Sequence, residues 1–238
     1  MIPLSDANPT RNKPYMNWLL IGGNVLVFLY EWTLPTRQLD RLIFTWGAIP
    51  SNLLSGLFHP LETPLPVWLT LITAQFLHAG WLHIGGNMLF LWIFGDNVED
   101  ILGHFSYLIF YLFSGIVANL IESFVGGPTH VPIIGASGAI AGVLGAYLVL
   151  FPWAKVRILI PVILFLWTIE VPALIVLGWW FVQEFFYGAA SLSSVASDGI
   201  AFWAHIGGFV TGMILIVPFV GRVYRRRAPT YVGFDEEL

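Results

Sequence analysis

The sequence predicts an all-α polytopic membrane protein with six transmembrane helices. The chain has 238 residues, of which 57% are hydrophobic and only 10% are charged, whereas a soluble domain carries about 25% charged residues. Asp, Glu, Lys and Arg are absent from four long stretches, residues 63–95, 101–121, 123–154 and 199–221. Because roughly 20 mainly apolar residues cross a bilayer as a helix, these stretches are long enough to span it. The sequence has no cysteine, which excludes disulfides and thiol chemistry.

Five of the six spans are predicted at residues 18–34, 82–98, 107–125, 134–151 and 200–220, and the fifth span is predicted to lie within residues 158–180. The second span ends in an acidic patch, Asp96, Glu99 and Asp100. Pro161 and Pro172 fall inside the fifth span, and we expect them to bend it or to mark its ends.

Residues 35–80, the first loop, do not resemble an ordinary connection between two spans. Their apolar runs are interrupted by Pro50, Pro60, Pro64 and Pro66 into pieces that are too short to cross a membrane. Such pieces are typical of short helices at the interface or in the bilayer edge against protein. We therefore expect a membrane-embedded first loop.

The distribution of basic residues predicts that both termini are cytoplasmic. Eight of the ten Lys and Arg residues lie on the side that the termini share, and only Arg37 and Arg41 lie on the other. The predicted organisation is a cytoplasmic segment at residues 1–16, a six-helix membrane domain at residues 17–221, and a basic-then-acidic cytoplasmic tail at residues 222–238.

Three polar side chains on three different spans share one depth in the membrane. With this orientation, the second, fourth and sixth spans all run from the outer face inwards. His83 and Ser137 lie near the starts of the second and fourth spans, and His205 lies about five residues into the sixth. At ~1.5 Å per residue, each lies in the outer third of the bilayer. Polar side chains inside a membrane usually face the protein interior or a wet cavity.

Glycines on the fourth and sixth spans predict a close contact between these two helices. Gly138 and Gly142 are four residues apart, as are Gly208 and Gly212, and this spacing lets helix backbones approach closely in lipid. If the two glycine surfaces meet, the serine and the histidine of these spans come close together. A serine within ~2.6–3.2 Å of a histidine is an activated nucleophile with its general base.

Acyl transfer by such a pair also needs donors for an oxyanion. The backbone N–H of Ser137 is free if this residue lies in the first turn of its helix. His83 and Asn87 are four residues apart, which places them on one helix face and makes them candidate side-chain donors.

Each of these residues also has an ordinary structural interpretation. A serine in a membrane helix usually bonds a carbonyl of its own helix, and a lone histidine such as His205 is more often a satisfied interior residue. His83 and Asn87 are also suited to tying helices together. His78 and His83 are five residues apart with no carboxylate beside them, so no metal site is predicted. Four further polar residues are interpreted as end-of-span or interfacial groups: Asn24, Glu122, Glu170 and Glu184.

Three motifs carry a family resemblance. They are IGASGAIAG at residues 134–142, FLHAGWLHIGGNM at residues 76–88 and AHIGGFVTG at residues 204–212. They resemble, respectively, the G-x-S-G, H-x-x-x-N and A-H-x-x-G-x-x-x-G motifs of rhomboid intramembrane serine proteases. The motifs occur in the order of that family and on the expected spans, over about residues 68–220.

The resemblance implies a six-helix rhomboid-like bundle with a Ser–His dyad and no third acidic member. Carried over residue by residue, Ser137 is the nucleophile and His205 the general base. His83 and Asn87, with the Ser137 amide, form the oxyanion hole. Five glycines are expected to pack the helices around this site: Gly135, Gly138, Gly142, Gly208 and Gly212.

The resemblance also assigns tasks to the surrounding segments. The fifth span would gate lateral access of a substrate helix, residues 185–198 would cap the site, and His78 would be structural. Ala141 stands where some rhomboids carry a tyrosine stacked on the catalytic histidine. This difference leaves open what holds the His205 ring, for which Phe202 and Trp203 are nearby candidates.

Leu69 and Thr70 stand where many rhomboids carry a Trp-Arg pair, so the anchoring of the first loop is not carried over.

The predicted function is therefore that of a serine endopeptidase that cleaves in or next to the transmembrane segment of membrane-protein substrates. The expected partners are those substrates and the lipid bilayer, with no nucleic acid, metal or cofactor. The predicted location is the inner membrane of a prokaryotic cell, with the active site towards the outer face. Two alternatives remain: a catalytically inactive rhomboid-like protein that binds membrane clients, and a transporter or channel. Against the transporter or channel, the sequence shows no paired intramembrane carboxylates, no charge rings and no evident inverted repeat.

Overall fold

The chain folds into a bundle of helices that carries a small three-stranded sheet. The structure is a computed structural model and describes residues 2–56, 63–162, 165–192 and 200–227. The helices are α1 (Tyr15–Thr33), α2 (Thr36–Trp46), α3 (Pro50–Gly56), α4 (Val67–Thr73), α5 (Trp81–Leu102), α6 (His104–Val125), α7 (Ser137–Leu150), α8 (Ala173–Ser191), α9 (Phe202–Ile216) and α10 (Val220–Arg227). Short 3₁₀ turns occupy Ala74–Phe76 and Val217–Phe219, and the strands are β1 (Ile2–Asp6), β2 (Lys155–Val162) and β3 (Phe165–Pro172).

In the part of the chain that the structure describes, three helical segments are long and apolar enough to cross a membrane. They are His104–Val125, Ala173–Ser191 and Phe202–Val223. Two shorter apolar helical segments, Val67–Phe76 and Ser137–Leu150, accompany them. The fold is thus mostly helical and has the hydrophobic helices of a membrane protein.

The prediction of the fifth span, residues 158–180, is wrong in its first part. This part belongs to an antiparallel hairpin of β2 and β3, and α8 begins only at Ala173. The hairpin is rich in Val, Ile, Phe and Trp, which favour strands, and Pro172 immediately precedes α8 as its N-cap. α8 then runs through Ser191, so the first part of the predicted cap is helical. Residues 193–198 of that cap lie outside the described residues.

Ion pairs join the two strands of the hairpin at its surface. Glu170 of β3 lies 3.4 Å from the Lys155 ammonium and 3.3 Å from the Arg157 guanidinium, both of β2. These side chains are exposed, and the two cations lower the pKa of the Glu170 carboxyl. Of these three charges, only Glu170 falls inside the predicted fifth span, where it would carry a desolvation cost; the hairpin pairs it with Lys155 and Arg157 at the surface.

The N-terminal segment, predicted only as a cytoplasmic extension, forms β1 and completes the sheet in the order β1-β2-β3. Asp6 at the end of β1 accepts a hydrogen bond from the Tyr147 hydroxyl at 2.5 Å and one from the Asn97 side-chain amide at 3.2 Å. Burial raises the pKa of the Asp6 carboxyl, and the Tyr147 hydrogen bond opposes that rise. These bonds fasten the sheet to α5 and α7.

The acidic patch that ends α5 binds the start of α1. The Glu99 carboxylate accepts the backbone N–H of Met16 at 3.0 Å and of Asn17 at 2.7 Å. These N–H groups belong to the first turn of α1, where no intrahelical acceptor exists, and a negative charge is favourable there. α5 extends to Leu102, beyond its predicted end at residue 98, so the acidic patch lies within the helix.

Buried amides anchor the first loop to α6. The Gln75 side chain donates to the Leu112 carbonyl at 3.2 Å, and the Asn119 side chain donates to the Leu71 carbonyl at 3.1 Å. A Cβ at Gly115 would lie 2.3 Å from the Gln75 side chain, so this glycine leaves room for it. These contacts provide an anchor in a chain that lacks the Trp-Arg pair.

Helix α7 lies at the centre of the bundle and is buried from Gly138 to Tyr147. Its backbone touches that of α9: a Cβ at Gly208 would lie 2.0 Å from the Gly138 carbonyl oxygen, and one at Gly212 would lie 1.8 Å from the Gly142 carbonyl oxygen. Any side chain at positions 208 or 212 would therefore force the two helices apart.

We expect Gly212→Ala to lower the thermal stability of the protein, because its methyl group meets the α7 backbone rather than a flexible side chain. Overpacking of this kind costs about 1–3 kcal/mol. Gly178→Ala is the matched control, since a Cβ at this helical glycine of α8 has nothing within 4 Å. Thermal unfolding in detergent, followed by circular dichroism, measures both. Equal melting temperatures for the two variants would contradict the close α7–α9 contact.

Candidate active site

Ser137 and His205 lie within hydrogen-bonding distance of each other. Ser137 is the first residue of α7, and His205 lies in the first turn of α9. The Ser137 Oγ and His205 Nε2 atoms are 2.8 Å apart, within the range of about 2.6–3.2 Å for a nucleophile and its general base. The close backbone contact of α7 and α9 holds these two side chains in reach of each other.

The turn before α7 requires glycine at position 135. Gly135 has a φ of +121°, a conformation that L side chains rarely adopt. Its N–H donates to the Ala74 carbonyl at 2.9 Å, which ties the first loop to the start of α7. A Cβ at this position would lie 2.7 Å from the Nε2 atom of His83. The missing side chain therefore also leaves room for that ring.

His83 and Asn87 lie one helical turn apart on α5 and converge on this turn. The Nδ1 atom of His83 accepts the backbone N–H of Ala79 at 3.3 Å, so the neutral ring carries its proton on Nε2, which faces Gly135. The Asn87 Nδ2 atom is buried and has no hydrogen-bond partner among the described residues. An unpaired buried donor is costly, and an oxygen anion bound beside the start of α7 would satisfy it.

The backbone N–H of Ser137 adds a further donor at the same place. Since Ser137 opens α7, its N–H belongs to the first helical turn, where donors lack intrahelical acceptors. The partial positive charge of a helix N-terminus also favours an anion there. The three predicted oxyanion donors thus lie around one turn of the chain.

Trp180 of α8 packs beside the His205 ring. Their ring centroids are 6.0 Å apart and the planes are inclined by 36°. The two candidates from the sequence, Phe202 and Trp203, pack against other aromatic rings of α8. Trp180 therefore supplies an aromatic neighbour for the His205 ring. Ala141, which is buried in α7, has only a methyl group.

A carboxylate contacts the other nitrogen of the imidazole. The Glu184 Oε2 atom lies 2.8 Å from the His205 Nδ1 atom, and the two side chains are only 13% and 14% exposed. The family resemblance implied a Ser–His dyad with no acidic member. From the sequence alone, Glu184 was interpreted as an end-of-span or interfacial residue. One signal was present: Trp180 and Glu184 are four residues apart, which places them on the same face of α8.

A second carboxylate fixes the start of α9. The Glu122 Oε2 atom of α6 accepts the backbone N–H of Ala204 at 2.9 Å. Ala204 lies in the first turn of α9, directly before His205, so this bond holds the backbone that carries the imidazole. From the sequence alone, Glu122 was also interpreted as an end-of-span or interfacial residue.

His78 lies behind His83. Their ring centroids are 5.1 Å apart, and the backbone N–H of His78 donates to the Glu31 carboxylate of α1 at 3.2 Å. The residue is 2% exposed, and its backbone bond links the first loop to α1. In the described ranges, His, Asp and Glu side chains form no group of three or more that could hold a metal ion.

The fold and these residues are those of a membrane-embedded helical protein with a serine–histidine pair at the start of a buried helix. Residues 66–222 match the Rhomboid domain family. The chain belongs to this family.

Its relatives come from several compartments. Rhomboid-like protein 11, chloroplastic, from Arabidopsis thaliana is 35% identical over 157 residues, which are 63% of this chain and 52% of that protein. Rhomboid protease GluP from Bacillus subtilis is 36% identical over 137 residues, 57% of this chain and 24% of that protein. The presenilin-associated rhomboid-like protein, mitochondrial, from Homo sapiens is 26% identical over 221 residues, 88% of this chain and 50% of that protein. The chain spans about half or less of the length of these relatives. The prokaryotic inner membrane remains a prediction.

We expect Gly135→Ala to reduce any activity that depends on His83, because the added methyl group strains the backbone and meets the imidazole. Gly127→Ala is the matched control: Gly127 also has a positive φ, +83°, but a Cβ there has nothing within 4 Å. Both variants carry backbone strain, and only Gly135→Ala displaces His83. The activity and the melting temperature are measured for both variants. Equal rates for the two folded variants would show that the His83 contact does not matter.

Proposed function

We propose that this protein is an intramembrane serine endopeptidase in which Ser137 is the nucleophile and His205 the general base. The observation that carries this proposal is the 2.8 Å distance between Ser137 Oγ and His205 Nε2 at the start of a buried helix. Membership of the rhomboid family supports it, as does the similarity to a Bacillus subtilis relative named a rhomboid protease.

The reaction proceeds in two halves. His205 Nε2 takes the hydroxyl proton of Ser137 while Oγ bonds to the carbonyl carbon of the scissile peptide. The tetrahedral intermediate collapses, the C–N bond breaks, and His205 returns the proton to the leaving amine. A water molecule then gives one proton to His205 as its oxygen attacks the acyl ester. The ester bond breaks, the new carboxyl product leaves, and Ser137 regains its proton.

The oxyanion of each tetrahedral intermediate forms next to the serine. The Ser137 N–H, the His83 Nε2–H and the Asn87 amide are the donors proposed to bind it. Donors that are fixed before the reaction and shielded from water stabilise developing charge without reorganisation. The unpartnered Nδ2 atom of Asn87 supports this role.

The proposed topology is the predicted six-span bundle, formed by α1, α5, α6, α7, α8 and α9 around the membrane-embedded first loop. Both termini are cytoplasmic, and the site opens towards the outer face. The substrate is the transmembrane segment of another membrane protein, and the cut lies in or next to that segment. α8 has few buried residues, Ala173, Leu177 and Gly188, which suits the side of lateral access.

We expect Ser137→Ala to abolish cleavage of a model transmembrane substrate in liposomes, with a loss of at least about 1,000-fold, because loss of the nucleophile leaves only residual catalysis. Labelling by a fluorophosphonate probe disappears as well. Ser123→Ala is the matched control, since Ser123 is a buried serine that donates to the Asn119 carbonyl of its own helix. A wild-type protein that neither labels nor cleaves, or a Ser137→Ala protein that cleaves normally, contradicts the proposal.

Asn87→Ala should lower kcat by about 100-fold, as loss of one oxyanion donor does in other serine proteases, and should leave KM nearly unchanged. Asn24→Ala provides a comparison, because Asn24 is a buried asparagine of α1 that bonds the Leu20 carbonyl. Steady-state cleavage is compared on protein that has been checked for folding. If the two variants lose activity in parallel with stability, Asn87 has a packing role only.

A further inference from the structure

We propose that Glu184 is a positioning residue for His205, so that the reacting group is a Ser–His–Glu arrangement rather than a dyad. This inference rests on the proposed protease function and adds a residue to its site. Glu184 comes from α8, a different helix from those that carry the serine and the histidine.

The contact selects the tautomer that the base requires. A carboxylate has only acceptors, so the His205 nitrogen that lies 2.8 Å from Glu184 Oε2 is the one that carries the proton. That nitrogen is Nδ1, which leaves Nε2 with its lone pair towards the Ser137 hydroxyl. Without the carboxylate, the ring is free to adopt the opposite tautomer or to rotate, and neither form accepts the serine proton.

The Glu184 carboxylate also stabilises His205 after the Ser137 proton has moved to the ring. When Nε2 takes the proton from Ser137, the imidazole becomes a cation between the serine and Glu184. The proton on Nδ1 stays there, and the carboxylate stabilises the cation by its charge. Both side chains are largely shielded from solvent, so screening by water and salt is weak.

Other ionisable groups near His205 do not replace this contact. Glu122 of α6 and His83 of α5 interact with His205 electrostatically, and α9 carries no other charged residue. The Glu122 Oε2 atom accepts the Ala204 N–H. Glu184 is the carboxylate that hydrogen-bonds the ring.

Two contacts from one face of α8 hold the imidazole. Glu184 bonds Nδ1, and Trp180, one turn earlier, packs beside the ring. A displacement of α8 away from α9 would remove both contacts at once. The ability of His205 to accept the Ser137 proton therefore depends on the position of α8.

The test replaces Glu184 by glutamine, which keeps the shape and removes the charge. We expect Glu184→Gln to lower kcat by about 10-fold or more with little change in KM, because the residue acts on the base and not on substrate binding. The acid limb of the pH profile of kcat/KM should shift in this variant, because the side chain that hydrogen-bonds the general base has lost its charge. Substrate cleavage in liposomes across a pH series measures both effects.

Three further variants separate positioning from packing. Glu184→Asp keeps the charge and should recover part of the rate and the wild-type acid limb. Gln183→Ala removes the neighbouring polar side chain on α8 and should leave the pH profile unchanged. Glu122→Gln removes the other nearby carboxylate and should shift the acid limb less than Glu184→Gln does. Melting temperatures of all variants establish that each is folded.

The outcomes separate this inference from the function on which it rests. If wild type cleaves, Ser137→Ala does not, and Glu184→Gln keeps the wild-type kcat and pH profile, the positioning role is overturned while the protease function stands. An equal loss in Glu184→Gln and Glu184→Asp with no shift of the acid limb also overturns it, because that result indicates packing. If wild type does not cleave, or Ser137→Ala cleaves normally, the proposed function fails and the positioning role fails with it.

Discussion

The contact between the backbones of α7 and α9 is the constraint on which the rest of the structure depends. At Gly208 and Gly212 a side chain would meet the carbonyl oxygens of α7 at 2.0 and 1.8 Å, so the helices pack with no side chain between them. In lipid, association of helices relies on such close van der Waals contact, because apolar side chains gain little by leaving the hydrocarbon. The distance between Ser137 and His205 follows from this contact, since each residue lies at the start of one of the two helices.

Carboxylates that bind backbone N–H groups are the second set of contacts that hold the bundle together. Glu99 binds the first turn of α1, Glu122 binds the first turn of α9, and Glu31 binds the backbone of His78. Each meets an N–H group that a helix start or a loop leaves without a partner, and such groups are costly where water is absent. These carboxylates therefore fix how the helices and the first loop join. Glu184 differs from them because it bonds a side chain of the candidate site.

The accuracy of the sequence prediction differed between elements for physical reasons. Long apolar stretches predicted α6 and α9 to within about four residues at each end, because hydrophobic length favours a helix in a membrane. The hairpin was missed because residues 158–172 are apolar as well as strand-forming, and a short apolar run does not by itself distinguish strand from helix. What decides for the strand is pairing with β1, which lies about 150 residues away in the sequence. The hydrophobic pattern of the hairpin sequence does not indicate that β1 is its partner.

By itself the sequence determined the hydrophobic character of the chain, its family resemblance, and the candidate residues Ser137, His205, His83 and Asn87, because these follow from composition and from local spacing. Only the tertiary structure decided which groups surround the imidazole. Trp180 and Glu184 reach His205 because α8 packs against α9 with one particular rotation about its axis. That rotation results from packing among several helices, and no short motif specifies it. A single glutamate in an apolar helix is ambiguous until its neighbour is known.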